Sequence, residues 1–500
     1  MRDQSRQGAI YNYLNLLLIN VVGIIITPFV IRHLGPSQYG LYSLAGAILP
    51  YFTLLDLGLG KTITRYVAIY RSRHDEEGEA RFLTTTARLF VIIVVIMLAI
   101  GACIYVNIER IWGDNLTSAE LSDLRRILLL VIATHTIILP GNGFTAICYG
   151  TGHFAFPRGI QTIKLVVRTI CIIGILLWGK KALALIALDL LLNVIVALAT
   201  LVYVHKHIGR RRIFSRHTTD YMPIIHYSLW IFVYAATGTL QWYAGQFVVG
   251  MTSNTTAIGT VGIGILLGTI YGYFAETINK MLMPQAAEFI KCNPTGRQTT
   301  DEMIRIGRIV AIPQLFILGG FAIFGKSFVT LWAGEIYQEA YLIALIMMAS
   351  WTVKLTQDYG NSLLEAKGLV KTMSIINFIT IFATVIVSYF STLRWGSIGM
   401  IITLSGGTIL ATIANNIYFY QQLRLDIARY LKKVFAKILL IISILILLFN
   451  LIFDHQSALT AGGMILGAIA YTVIFVLSVY FYVLTRNERT QIKLNERKRH

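Results

Sequence analysis

Two basic side chains lie in an apolar stretch where charge is unfavourable. Lys164 and Arg168 are four residues apart in a hydrophobic segment that begins near Arg158, so in a helix they share one face. Arg168 lies about 15 Å beyond Arg158 along such a helix. An ionised group within a bilayer costs about 2.5–3.5 kcal/mol on the insertion scale. A guanidinium binds phosphate through two hydrogen bonds and an ammonium adds a point charge, so the pair predicts a phosphate-binding site.

Each of these cations also has a structural interpretation. Lys164 could extend its ammonium to the membrane surface, and Arg168 could form an ion pair with Asp189. Four further candidates for the same phosphate are Arg32, Arg65, Arg88 and Lys354. Arg65 and Arg88 lie near predicted cytoplasmic helix ends, where topology explains them equally well. Lys354 is spaced to pair with Asp358.

Polar and aromatic side chains on the first and seventh apolar stretches could line a sugar path, because amides and hydroxyls bind sugars and aromatic faces stack on them. The candidates are Asn15, Asn20, Tyr234, Gln241 and Trp242. An interfacial aromatic belt is the alternative for aromatic residues near the ends of these stretches.

Ionisable groups within the apolar stretches could also bind a coupling ion, H⁺ or Na⁺. The candidates are Asp56, Asp189, Glu276, Asp358 and His135, and Glu276 could instead pair with Lys280. The four cysteines are scattered without metal-ligand spacing. We therefore expect no metal site and no cofactor.

The elements that position these groups are long apolar stretches. The chain is 56% hydrophobic and 13% charged, with mean hydropathy +0.67. About fourteen stretches between residues 8 and 485, among them 38–60, reach the roughly 20 residues needed to cross a bilayer. The sequence predicts an all-α polytopic membrane protein of about fourteen transmembrane helices. Thr117 and Glu120 predict a capping box that begins the fourth helix.

The basic residues indicate orientation. The net charge is +19, and most Lys and Arg residues collect on one side of the predicted helices. The positive-inside rule then places both termini in the cytoplasm, and we expect the membrane to be the inner (cytoplasmic) one. Topology and anionic lipids account for this charge, so we expect no nucleic-acid partner.

The connecting segments are short. The longest have about 20 to 25 residues, and the sequence contains no DxD, GxSxG, Walker A or HExxH motif. A membrane polymerase or ligase would need acidic or histidine-rich loops at the surface for metal binding or general-base chemistry. We therefore expect that the chain is not an enzyme.

A weak internal repeat at an offset near 216–220 relates two sets of six helices. Segments 31–60 and 249–280 share a polar turn, a helix-opening glycine (Gly40 and Gly259) and a later acid. The repeat predicts an N-terminal lobe over 1–217, a C-terminal lobe over 218–424, and two extra helices with a basic tail over 425–500. Such parallel repeats are typical of transporters with a central cavity.

The stretch RHLGPSQYGLY, Arg32–Tyr42, resembles the polysaccharide transport family of oligosaccharide flippases (Wzx-like). The segments LDLGL, Leu55–Leu59, and Arg65-Tyr66 share this resemblance. That family belongs to the multidrug/oligosaccharidyl-lipid/polysaccharide exporter superfamily. The resemblance implies a MATE-like two-lobed bundle with a central cavity. It also implies alternating-access transfer of undecaprenyl-diphosphate-linked oligosaccharides, the repeat units of surface polysaccharide, from the cytoplasmic to the outer leaflet.

The partners implied are the lipid-linked oligosaccharide, membrane lipids, a coupling H⁺ or Na⁺, and other polysaccharide assembly proteins. A MATE-type multidrug/cation antiporter is the main alternative, although such a cavity would favour acids and the deepest charge on the fifth stretch is basic. A lipid II flippase is another alternative within the superfamily. A membrane polysaccharide polymerase or ligase is disfavoured by the short loops.

Overall fold

The protein is helical throughout the part that the computed structural model describes, residues 2–208, 221–452 and 461–483. No β-strand occurs in these ranges. The α-helices are α1 (Arg2–Leu54), α2 (Leu59–Ser72), α3 (Glu76–Val106), α4 (Ile108–Trp112), α5 (Ser118–Gly150), α6 (Ala155–Leu177), α7 (Ala182–Tyr203), α8 (Met222–Thr252), α9 (Thr255–Lys291), α10 (Gly296–Ala333), α11 (Ala340–Thr356), α12 (Asp358–Ala366), α13 (Val370–Leu423), α14 (Ile427–Ile452) and α15 (Ala461–Ser478). A 3₁₀ turn (Glu335–Tyr337) and π-helical turns (Val204–Ile208 and Val479–Val483) complete the described elements.

The predicted polytopic bundle is confirmed. Eleven helical segments of the described residues are long and apolar enough to cross a membrane. Two of these, Val21–Ser72 and Lys371–Leu423, have 52 and 53 residues, and each contains a glycine where two helices join, Gly35 or Gly396. Dividing both segments at these glycines and adding the 31-residue α8 gives fourteen crossings within the described ranges.

The helix starts follow local capping chemistry. The capping box predicted at the start of α5 is confirmed: Glu120 N–H donates to Thr117 Oγ1 at 3.3 Å, and Thr117 N–H donates to Glu120 Oε2 at 2.9 Å. Thr295 and Gln298 form the same arrangement before α10. These side chains satisfy backbone N–H groups that the first helical turn leaves without partners.

The predicted apolar stretch over 38–60 is not a single helix. The helix ends at Leu54, and a new one begins at Leu59. Leu57 and Gly58 have φ of +50° and +75°, which lie in the left-handed region. A right-handed α-helix cannot pass through left-handed residues, so the second crossing is interrupted near Asp56.

The chain divides into two compact units, Met1–Gly262 and Ile263–His500. In the first unit, α5 packs on α7 and α2, and α1 packs on α6 and α8. In the second unit, α10 packs on α14 and α11, and α11 packs on α13. The lobe boundaries at 217 and 424 remain a prediction.

The helices carry apolar side chains on their outer faces, as membrane helices must. Val91 and Val95 on α3 are 65% and 59% exposed, and Ile163 and Ile170 on α6 are 63% and 64% exposed. In water such faces would be unfavourable, whereas hydrocarbon solvates them. The polar groups of α6 are therefore found on its other face, towards α1 and α7.

Candidate functional site

The guanidinium of Arg168 is held between α6, α7 and α1. Its Nε and Nη2 donate to Asp189 Oδ1 and Oδ2 at 2.5 Å and 2.9 Å, and Nη2 also donates to the Tyr42 hydroxyl at 3.0 Å. The Arg168 and Asp189 side chains are 29% and 18% exposed. The ion pair considered as the structural alternative for Arg168 is therefore observed, with the two-pronged geometry that suits a carboxylate.

Lys164 lies one helical turn before Arg168 and also faces α7. Its Nζ donates to Asn193 Oδ1 at 2.7 Å, and the Asn193 amide donates to the Asp189 backbone carbonyl at 2.7 Å. Lys164 thus points across to α7 and not to the membrane surface. Lys164, Arg168, Asp189, Asn193 and Tyr42 form one connected group, here called the α6 cluster.

The α6 cluster has an uneven charge. It contains two cations and a single carboxylate, and that carboxylate is engaged by Arg168. The cluster therefore carries a formal charge of +1, and its ammonium is held by a neutral amide. Burial in low dielectric strengthens the attraction between such a charge and an anion. The phosphate-binding role of Lys164 and Arg168 stays a prediction.

A cavity of about 420 Å³ lies beside the interruption of the second crossing. Its lining includes Asp56 and Lys61, residues 49–54 at the end of α1, and three residues of α8. The full set is Leu49, Pro50, Thr53, Leu54, Asp56, Gly58, Lys61, Phe232, Ala235 and Thr239. The cavity therefore presents an acid and a base together with hydroxyl groups.

His135 lies behind one wall of this cavity. It is 1% exposed, its Nδ1 is 3.0 Å from the Val131 carbonyl, and its Nε2 is 3.4 Å from Thr53 Oγ1. The ring also packs against Phe52. His135 is not itself among the lining residues, and the Thr53 hydroxyl connects it to the cavity.

The sugar-path candidates lie on α1 and α8. Gln241 and Trp242 are half-buried on α8. The side chains of Asn15, Asn20 and Tyr234 fall outside the described part of the structure, so their roles remain predictions. A contact that the sequence did not indicate joins the same two helices: Gln246 Nε2 donates to the Ser43 carbonyl at 2.7 Å.

The other three candidate cations of the first unit are not members of the α6 cluster. Arg32 on α1, Arg65 on α2 and Arg88 on α3 have exposed side chains. The phosphate-binding role of all three stays a prediction.

Arg88 follows Ala87, which lines an apolar groove of about 390 Å³ between α2, α3 and α5. Phe90, Val94 and Phe144 form part of this lining. Its chemistry suits a hydrocarbon chain.

The second unit contains the other three candidates. Lys354 is half-buried, with Nζ 5.2 Å from the centre of the Trp351 ring. Asp358 Oδ1 accepts a hydrogen bond from the Asn361 amide at 2.7 Å. Glu276 is half-buried on α9, and the Lys280 side chain, its expected partner, lies outside the described residues.

Sequence reasoning did not select two members of the α6 cluster. Asn193 follows Asp189 by four residues, so a search for polar residues on one helical face could have found it. Tyr42 is 126 residues from Arg168 in sequence, and no local pattern indicates their contact.

The chain matches a family model described as polysaccharide biosynthesis protein over residues 5–286. A proposed O-antigen transporter of Shigella flexneri is 22% identical over 417 residues, covering 81% of this chain and 95% of that protein. An uncharacterised membrane protein of Bacillus subtilis, EpsK, is 21% identical over 162 residues, 32% of each chain.

Solved membrane-protein structures share the fold. A lipid II flippase, MurJ, in an inward closed conformation has a TM-score of 0.72 at 15% identity, covering 95% of this chain and 98% of that one. An inward-facing multidrug resistance MATE family transporter has a TM-score of 0.61 at 14% identity, covering 82% and 94%. The expected MATE-like helical fold is therefore confirmed.

Proposed function

This chain belongs to the polysaccharide biosynthesis protein family, and on that premise we propose that it is a flippase for undecaprenyl-diphosphate-linked oligosaccharide. It would move this lipid from the cytoplasmic to the outer leaflet by alternating access, without acting as an enzyme. The substrate joins an anionic diphosphate to a polar glycan and an apolar tail. Bare hydrocarbon strongly opposes passage of such a head group, so a polar path through protein lowers the barrier.

The names of similar proteins support a transporter of this class. One relative is a proposed O-antigen transporter, and one protein of the same fold is a lipid II flippase. We extend this class to the present chain as a proposal, with the inner membrane as its location. Other polysaccharide assembly proteins would supply and use the substrate.

The observation that carries the proposal is the α6 cluster. It places a formal charge of +1 within a membrane-crossing helix. Uncompensated charge is unfavourable there, so such charges commonly mark a functional site. Lys164 is the group proposed to contact the diphosphate, because the charge of Arg168 is already balanced by Asp189. Gln241 and Trp242 on α8 would contact the glycan, and the apolar groove between α2, α3 and α5 would accept part of a lipid tail.

The proposal predicts that removing the Lys164 charge slows transport. A charge-assisted hydrogen bond is worth about 1.5–3 kcal/mol, so Lys164→Gln should reduce the rate by about tenfold or more. The measurement is the transfer of a fluorescent lipid-diphosphate-oligosaccharide in proteoliposomes, followed by its protection from a membrane-impermeant quencher.

Lys180→Gln is the matched control, because it removes the same charge from an exposed residue between α6 and α7. It should transport at the wild-type rate. Equal rates for Lys164→Gln and wild type would remove Lys164 from the site. No transfer of the lipid by wild type would contradict the flippase.

A MATE-type cation antiporter is the second candidate, because the cavity beside α8 contains the Asp56 carboxylate. A cationic substrate would favour that acid, whereas an anionic one would favour the α6 cluster. Transport of a cationic dye by the same proteoliposomes, with no transfer of the lipid-linked sugar, would favour the antiporter.

A further inference from the structure

The interruption of the second crossing replaces α-helical bonding by tight turns. Leu55, Asp56 and Leu57 N–H groups donate to carbonyls three residues back at 3.2, 3.1 and 3.0 Å. Leu57 then adopts φ +50°, a left-handed conformation that is unfavourable for a residue with a side chain. Such backbone strain within a membrane helix is found at functional sites, where the surrounding structure maintains it.

The Asp56 carboxylate at this interruption is incompletely bonded. Its Oδ1 is buried and has no hydrogen-bond partner among the described residues. Its Oδ2 accepts only a long 3.4 Å bond from the Gly60 N–H. A buried carboxylate oxygen without a partner is strongly unfavourable. A cation bound to Asp56 would offset this unfavourable burial.

The surroundings of Asp56 supply further oxygen ligands. Thr53 Oγ1 lines the same cavity and donates its proton to the Leu49 carbonyl at 3.2 Å. His135 Nε2 lies 3.4 Å from this oxygen, so at least one of its two lone pairs is available to a cation. The last carbonyls of α1 accept the N–H groups of residues 55–57. Each carbonyl oxygen keeps a second lone pair, at a helix end that carries partial negative charge. Half-helix ends of this kind coordinate Na⁺ or H⁺ in transporters with broken helices.

We propose that Asp56, Thr53 and backbone carbonyls at the end of α1 form a site for a monovalent cation, Na⁺. Oxygen ligands suit a hard cation. A divalent ion is disfavoured, because a single carboxylate would have to balance it in a cavity that Lys61 also lines. The role of this ion in driving transport rests on the proposed function, whereas its binding does not.

The test measures binding without transport. Na⁺ should raise the unfolding temperature of the purified full-length protein relative to choline at equal ionic strength, and the increase should grow with Na⁺ concentration as mass action requires. Radioactive Na⁺ should bind with a stoichiometry of one per chain. Asp56→Asn should lower the affinity by at least about tenfold, and Thr53→Val by a smaller factor.

Asp114→Asn is the matched control, since Asp114 is an exposed carboxylate before α5; it should retain the wild-type response. The inference is overturned if wild type responds equally to Na⁺ and choline, or if Asp56→Asn and Thr53→Val both bind Na⁺ normally. Should Asp56→Asn fail to fold, wild type and Thr53→Val still decide the question. Lipid transfer without Na⁺ binding would reject this site alone, and Na⁺ binding without lipid transfer would reject the flippase alone.

Discussion

The positive charge of Arg168 is balanced by a single acid, Asp189. Its two hydrogen bonds to Asp189 offset a charge that hydrocarbon disfavours. Asp189→Asn removes the negative charge, so we expect it to destabilise the protein by about 3 kcal/mol, the lower end for a broken buried pair because Arg168 is 29% exposed. The measurement is thermal unfolding in detergent.

The controls for this prediction are an exposed pair and a double variant. Arg125 and Glu109 also form an ion pair, with side chains 41% and 71% exposed, so Glu109→Gln should change stability by no more than about 1 kcal/mol. Combining Arg168→Met with Asp189→Leu should recover much of the loss, because no charge remains uncompensated. Equal effects of Asp189→Asn and Glu109→Gln would contradict the structural importance of the buried pair.

At this scale the sequence predicts charges better than contacts. Lys164 and Arg168 are recognisable because a basic pair in an apolar helix is rare, and Asp189 because few acids occur near them. The contact of Arg168 with Tyr42 depends on how α1 and α6 pack, which hydropathy does not determine. The hydrogen bond from Lys164 to Asn193 depends in the same way on how α6 and α7 pack, so hydropathy does not predict it.

Helix α1 and the start of α9 approach each other very closely at Gly40. A Cβ added there would lie 2.1 Å from the Thr255 carbonyl oxygen, while one added at Gly46 would meet nothing within 4 Å. Gly40→Ala must therefore push backbone apart, and we expect a loss of about 1–3 kcal/mol. Gly46→Ala on the same helix should be neutral or stabilise by up to about 1 kcal/mol. Thermal unfolding of both variants checks this, and equal stabilities would contradict the close approach.

Hydropathy located the crossing helices because bilayer thickness sets their length. It did not locate the interruption at 55–58, since Leu55, Leu57 and Leu59 are residues that favour helices. Gly58 and Asp56 were the only local signs, and the left-handed Leu57 has no signal in its residue type. Helix α2, which begins after the interruption, packs on α5 and α8, and tertiary contacts of this kind can outweigh local propensity.

The whole molecule should have both termini in the cytoplasm. With Cys103, Cys148 and Cys171 replaced by serine, the exposed Cys292 after α9 is the remaining thiol. A membrane-impermeant maleimide added to intact cells should leave Cys292 unlabelled and label it after the membrane is opened. Lys180→Cys in a background without other thiols should react from outside. The opposite pattern would reverse the orientation inferred from the basic loops.

The Arg168–Asp189 pair also bears on how α6 and α7 are inserted into the membrane during synthesis. Inserted alone, α6 would bring two ionised groups into the bilayer, Lys164 and Arg168, and α7 would bring one, Asp189; each group costs about 2.5–3.5 kcal/mol. Only residues 178–181 separate the two helices, so they can leave the translocon together as a helical hairpin with the pair already formed. We infer that α6 and α7 are inserted during synthesis as one unit, and that the α6 cluster exists before the rest of the chain has been translated.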